Sequence, residues 1–493
     1  MVQYKTLENQ ESDVENAVST PKDSEPEPVR PAPATANHHQ AAQMMMVTMF
    51  LLLFLGSSFF QPRPRLHQYH GGRGHGLGEK FDCDIQLVET IPIGLTYPAN
   101  SPRFLSTYEA WQQLLGNAKT SLDIASFYWT MTAADTPGET DNSSQPGEDI
   151  FSKLMANGNG GSQTPRLQIR IAQSEPSSVS PDSNTKMLSS NGAAEVVTLS
   201  FPKYFGSGVL HTKLWIVDDQ HFYLGSANMD WRALTQVKEM GVLVQNCPAL
   251  TRDVAKIFKA YWYLGTHEGS GVPSSWDYDY STNYNVKSPM SINLNRNTSM
   301  EGYLSSSPPP LSAWGRTHDL DAILNTINTA ITYINIAVMD YYPLIIYEKN
   351  HRYWPFIDDA LRRAAVERGV VVKLLISWWK HSNPSEDRYL KSLLDIASKK
   401  DNIDIQIRRF IVNGTENQEK IPYGRVNHNK YMVTDRVAYI GTSNWSGDYF
   451  TDTAGIGFVL SETHETESTK NLRSDLRDVF ERDWSSPYAH PFE

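Results

Sequence analysis

The sequence has no surplus of basic charge. Its 493 residues carry 44 Lys and Arg against 55 Asp and Glu, a formal net charge of −11. That excludes a protein built to coat nucleic acid through bulk charge. Cysteine is close to absent, with only Cys83 and Cys247. The two are either free buried thiols or one bridge. A bridge would close about 165 residues and, in the chain-entropy account, contribute about 5 kcal/mol. Metal-ligand spacing is lacking as well. The best set that can be assembled is Asp218, Asp219 and His221, and it is not convincing. No metal and no cofactor is therefore expected. Aromatics are almost missing from residues 1–40, which are rich in Pro, Glu, Ser and Ala and read as a disordered cytosolic tail. Charge is missing altogether from "AAQMMMVTMFLLLFLGSSFF", residues 41–60. As a helix this stretch reaches roughly 30 Å, one bilayer core, so a single transmembrane anchor is predicted there.

Residues 61–80 then form a stalk. Lys22 and Arg30 precede the span, while Arg63, Arg65, Arg73 and Lys80 follow it. By the positive-inside rule the large domain would be cytosolic. The Asn-x-Ser/Thr sequons at Asn142, Asn297, Asn413 and Asn444 point the other way. Beyond residue 60 the formal charge is −7, and 12 of the 14 histidines lie there, so full protonation would bring it to +5. A compartment near or below the histidine pKa of about 6.5 would thus turn this part toward polyanions.

What the sequence does have is a duplication. "HTKLWIVDDQHFYLGSANMDWR" starts at His211, and "HNKYMVTDRVAYIGTSNWSG" starts at His428. Ahead of them, "LGNAKTSLDIASFYW" and "INTAITYINIAVMDY" each end a helix and enter a strand. Each half adds another apolar strand, "RLQIRIA" from Arg166 and "GVVVKLLIS" from Gly369. Before the latter, Ile357, Ala360, Leu361 and Ala364 make one helical face that stops at Gly369. Strands alternating with helices imply an α/β fold with parallel or mixed sheets. The predicted halves are residues 81–290 and 291–493, related by a pseudo-two-fold and facing one cleft. A proline-rich polar stretch, 305–312, reads as their junction, and 132–147 and 174–190 read as surface loops.

Residues two apart on a strand share a face. His211 therefore sits with Lys213, and His428 with Lys430. Ser226 and Asn228, and Ser443 and Asn444, follow the next strand and can approach those pairs. Imidazole, ammonium, hydroxyl and amide converging on one point suit a phosphodiester. One neutral histidine would attack phosphorus; the other would protonate the leaving oxygen and later take a proton from water. Glu239, 14 residues after Gly225, has Thr453 as its expected counterpart. A carboxylate on the far nitrogen of His211 would sharpen it as nucleophile and leave His428 as general acid and base. Asp218 and Asp435, at the strand ends, complete the two motifs, with bracing as their expected role.

His211-x-Lys213-x4-Asp218 and His428-x-Lys430-x4-Asp435 resemble the paired HKD motifs of the phospholipase D superfamily. "SLDIASFYWT", "KIFKAYWYLG", "RVNHNKYMVT" and "YIGTSNWSG" further resemble its endolysosomal single-pass subgroup, family members three and four. The resemblance implies two α/β/α sandwich half-domains with one site at their interface, and a phosphohistidine intermediate. It also implies a lysosomal 5′-3′ exonuclease on single-stranded DNA and RNA, or else a phosphatidyl transferase making bis(monoacylglycero)phosphate. A glycosylated type II membrane protein is implied too, passing from the endoplasmic reticulum to the endosome and lysosome lumen, with a luminal part that proteolysis can release. Family members carry more cysteines; here at most one bridge, Cys83–Cys247, is expected. Glycans are expected on Asn142, Asn297 and Asn413, but not on Asn444, where one would block the cleft. Candidates for stacking on a single strand are Phe127, Tyr128, Trp129, Tyr341, Tyr342, Trp445 and Tyr449. The residues leave a homodimer open.

Overall fold

The computed structural model describes residues 80–136, 142–161, 165–177, 182–296, 298–348, 350–463 and 470–492. The tail at 1–40, the span at 41–60, the stalk up to residue 79 and the Asn297 sequon lie outside them. Among the described residues no helix is long and apolar enough to cross a membrane.

Aliphatic and β-branched runs bounded by turns form the strands. The first half has β1 (Phe81–Thr90), β2 (Ser121–Ser126), β3 (Gln168–Ser174), β4 (Glu195–Leu199), β5 (Leu214–Val217), β6 (His221–Gly225) and β7 (Glu239–Gln245). The second has β8 (Met290–Leu294), β9 (Thr298–Ser307), β10 (Tyr333–Val338), β11 (Val371–Ser377), β12 (Ile405–Phe410), β13 (Lys430–Thr434), β14 (Val437–Gly441), β15 (Gly455–Glu462) and β16 (Ala489–Pro491). Pairing in the first sheet runs β4-β3-β2-β5-β6-β7-β1. In the second it runs β12-β11-β10-β13-β14-β15-β9. The two orders match strand for strand, with the first three strands parallel and the rest antiparallel. The sheets join where Phe81–Cys83 of β1 pairs in parallel with β8.

Alternation along each strand sends its side chains into two layers. Leu214 and Ile216 enter the central core, while Trp215 and Val217 face an outer core beneath helices Thr107–Asn117 and Gln145–Asn159. On β13, Tyr431 and Val433 enter the same central core and Met432 the second outer one. Phe222 of one sheet meets Phe458 of the other at 6.5 Å between rings, so the halves share one interior. Helices Pro248–Thr266 and Leu472–Trp484 also pack into it. The helical face read at Ile357, Ala360, Leu361 and Ala364 is buried, and Gly369 ends that helix at φ 65°.

The stretch 305–312 is not a surface junction. Ser305–Ser307 finish β9 in the interior. The Ser305 hydroxyl donates to Asp319 (2.7 Å) and that of Ser307 to the Thr453 carbonyl (3.0 Å). Local acceptors make those serines buriable, which composition does not reveal. The chain instead crosses between halves through 267–289. Likewise Ser183–Ser190 is a helix rather than loop. Cys83 and Cys247 form a disulfide that fastens β1 to the start of helix Pro248–Thr266. Asn142 and Asn413 are exposed, and Asn444 is buried.

Candidate active site

Each motif histidine stands just ahead of a central strand, and each is stitched to the opposite half. The His211 N–H donates to the Ala454 carbonyl (3.0 Å), and the His428 N–H to the Lys238 carbonyl (2.8 Å). Both rings line one narrow cavity with Phe127, Tyr128, Asn228, Met339, Asp340, Tyr347, Asn444 and Tyr449. The structure thus brings together the two imidazoles and both asparagines. Lys213 and Lys430 lie behind them, each buried and folded back so that Nζ donates to its own motif histidine's carbonyl, at 2.7 and 2.8 Å. Lys213 also sits 5.6 Å above the Phe127 ring.

Glu239 is not where it was expected. Its carboxylate crosses to His428 Nδ1, at 2.9 and 3.1 Å, and accepts the Ser226 hydroxyl at 2.5 Å. His211 Nδ1 instead meets the backbone carbonyl of Thr442 at 2.8 Å. Strand register explains the exchange. Gly225 pairs with Gly241 and Gly441 with Gly457, so the counterpart of Glu239 is Gly455, not Thr453. A Cβ on Gly455 would lie 2.2 Å from the Ser443 hydroxyl, leaving no room for a side chain. Ser226 correspondingly matches Thr442: each hydroxyl accepts the N–H of the strand opposite, Met240 or Ile456, at 3.0 Å.

Asp218 and Asp435 do not reach the cavity. Asp218 accepts the backbone N–H groups of Lys119, Thr120 and Ser121 at 2.8–2.9 Å. Asp435 accepts those of Ile331 and Thr332 at 2.9 and 3.0 Å. Each motif aspartate thus ties off the turn leading into its half's neighbouring strand, which is a bracing role rather than a catalytic one. Ser443 is buried with no hydrogen-bond partner among the described residues. Asn444 donates to Asp340 (2.7 Å) and Tyr449 (3.3 Å). Of the aromatics considered, Phe127, Tyr128 and Tyr449 line the cavity, and Tyr449 and Phe127 stand 5.0 and 5.3 Å from the His211 ring. Trp129, Tyr341, Tyr342 and Trp445 are core residues. Asp340, Met339 and Tyr347 escaped sequence reasoning. Asp340 carries no motif signal; only its place one turn beyond β10 could have marked it.

Burial dominates the electrostatics. It lowers the His211 pKa well below the ordinary histidine value, helped by Lys213, Lys430 and His428. His428 is held low by burial and then by Lys430 and Lys213. Burial drops Lys430 to about 7, with Glu239 and Asp340 pulling it back. It pushes Glu239 up to about 8, against the pull of Lys430, Ser226 and Lys213. With His428 Nδ1 2.9 Å from the carboxylate, the two form one hydrogen-bonded acid–base pair. His211, with a carbonyl on Nδ1 and cations nearby, stays neutral with a free Nε2 lone pair. The carboxylate expected on His211 thus partners His428 instead.

Fold and site together define a two-histidine phosphodiesterase of the phospholipase D family, and the chain belongs to that family. A family model described as "PLD3/4, PLD-like domain" matches residues 98–415. The human protein named 5′-3′ exonuclease PLD3 is 49% identical over 411 residues, 83% of this chain and 81% of that one. The Xenopus tropicalis protein of that name is 48% identical over 420 residues, 84% of this chain and 83% of its own. Mouse 5′-3′ exonuclease PLD4 is 38% identical over 455 residues, 90% of this chain and 88% of its own.

Proposed function

We propose that this chain degrades single-stranded DNA and RNA from the 5′ end through a phosphohistidine, without a metal ion. The observation that carries the mechanism is the unequal pair of Nδ1 partners, a carbonyl for His211 and a carboxylate for His428. His211 Nε2 forms a bond to phosphorus as the bond to the leaving oxygen breaks. His428, holding the proton shared with Glu239, passes it to that oxygen. A water then attacks, His428 takes its proton, and the P–N bond breaks. Asn228 and Asn444, which line the cavity, face the non-bridging oxygens, where the extra charge of the five-coordinate state falls, and Lys213 and Lys430 stand behind the two imidazoles. The names borne by relatives at 48–49% identity support the nucleic-acid substrate and the strand polarity.

We further propose that the domain works in an acidic lumen, anchored through the apolar stretch 41–60, with glycans on Asn142, Asn297 and Asn413. Glycosidase treatment of protein from cells should raise its gel mobility; no change would refute the luminal side. For the reaction, labelled oligonucleotides blocked at one end or the other are supplied with chelator, and phosphatidylglycerol with an alcohol in parallel. Shortening from an open 5′ end, lost in His211→Ala, is expected. Headgroup exchange without shortening would favour phosphatidyl transfer, and nuclease activity surviving in His211→Ala would refute the mechanism.

A further inference from the structure

A second cavity, of about 330 Å³, is lined by Trp379, Lys380, His381, Glu419, Lys420 and Tyr423. Its position is tied to the chemistry from two sides. Trp379 packs in a small core with Val237, Val426 and Met339, and Met339 also lines the catalytic cavity. Tyr423 lies on the segment that runs directly into His428. The wall is aromatic: the rings of His381 and Tyr423 stack with centroids 4.7 Å apart at 26°, and Trp379 meets His381 edge-on at 4.8 Å.

The backbone here is strained and held. Tyr423 (φ 57°) and Arg425 (φ 54°) both occupy the left-handed region that non-glycine residues avoid. The first half locks them in place. Arg232 donates to the Pro422 carbonyl (2.5 Å), and Arg425 donates to Gln236 (3.1 Å) and to the Ile93 carbonyl (2.9 Å). A loop fixed in that way, at the junction of the halves, presents its aromatic wall without having to order it on binding.

From this geometry, and resting on the nucleic-acid reading above, we infer that the cavity is a nucleobase subsite for the strand flanking the scissile phosphate. A base offers a flat face that can extend the His381–Tyr423 stack, and stacking of that kind is tolerant of sequence. The exposed Lys380 and Lys420 also line it, Lys420 paired with Glu416 at 2.9 Å, and would meet neighbouring phosphates. A glycerol-based headgroup has no planar face to use there.

The test uses the full chain and oligonucleotides carrying one abasic site at successive positions. One position is expected to raise KM about tenfold, the scale of one lost stack. His381→Ala should raise KM for the intact strand to a similar extent, and should add little once the base at that position is already missing. Fluorescence of 2-aminopurine at that position should be quenched on binding to His211→Ala and less quenched when His381→Ala is added. Equal KM at every abasic position overturns the subsite while leaving the exonuclease reading intact, and needs no variant to fold. Additive effects of the missing base and His381→Ala also overturn it. Failure to bind or cut any oligonucleotide, with phospholipid turned over, removes both readings together.

Discussion

His211 and His428 differ chiefly in what their Nδ1 atoms touch, and that difference separates their duties. A backbone carbonyl fixes one tautomer of His211 but gives its cation no counter-charge. The Glu239 carboxylate lets His428 hold and release a proton. Replacing Glu239 with Gln removes the carboxylate and keeps the shape. kcat is expected to fall by about 10²-fold, the scale of impaired proton transfer. The alkaline limb of the rate profile, set near pH 8 by Glu239, should also move to lower pH, because the proton then rests on His428 alone, which burial and Lys430 hold low. An unchanged limb would count against the shared proton. Stability responds with its own sign. Folding raises the Glu239 pKa from 4.5 to about 8, so its contribution is full below 4.5 and is lost as pH rises through 8. Thermal unfolding of Glu239→Gln should lack that component of the pH dependence.

At the scale of elements, each motif aspartate works for its turn. Burial would raise the Asp218 pKa, but the Thr120 hydroxyl and the N–H groups of Ser121, Lys119 and Thr120 hold it below the ordinary value. Asp218→Asn keeps one acceptor and loses the charge. A loss of about 1–2 kcal/mol on unfolding is expected, comparable to a lost helix cap, with kcat per folded molecule near that of the parent. A collapse of kcat in a fully folded variant would return Asp218 to the chemistry. Strands and helices were largely legible, since the paired motifs repeat at matching places and residues such as Ile357 and Leu361 carry their period openly. The partner of Glu239 was not legible. It depends on β7 beginning beside the opposite half's histidine, a tertiary fact, and on the register that makes Gly455 rather than Thr453 its counterpart. Ser305–Ser307 misled because a serine with an acceptor at hand can be buried inside a strand.

Over the whole molecule, two matching sheets share a core. Within the first half the Cys83–Cys247 bridge spans a separation of 164 residues. Its removal in Cys83→Ser/Cys247→Ser should cost up to about 5 kcal/mol in denaturant unfolding, with the catalytic cavity unaltered; an undiminished midpoint would show that the core alone sets stability. The ties between the halves are buried and charged: Lys238, beside Glu239, meets Asp483 at 2.9 Å, and Arg482 meets Glu89 at 2.7 Å, joining helix Leu472–Trp484 to the first sheet. The assembly brings one histidine from each half into a single cavity, and the proposed mechanism has both act on one phosphorus. The direct measurement is to supply His428→Asn with a labelled nitrophenyl nucleotide diester, whose leaving group departs without a proton. The P–N bond should form and then persist, because no base activates water. Mapping after a rapid alkaline quench should place the label on the peptide holding His211. Label elsewhere, or a nitrophenolate burst with no bound phosphorus, would contradict attack by His211.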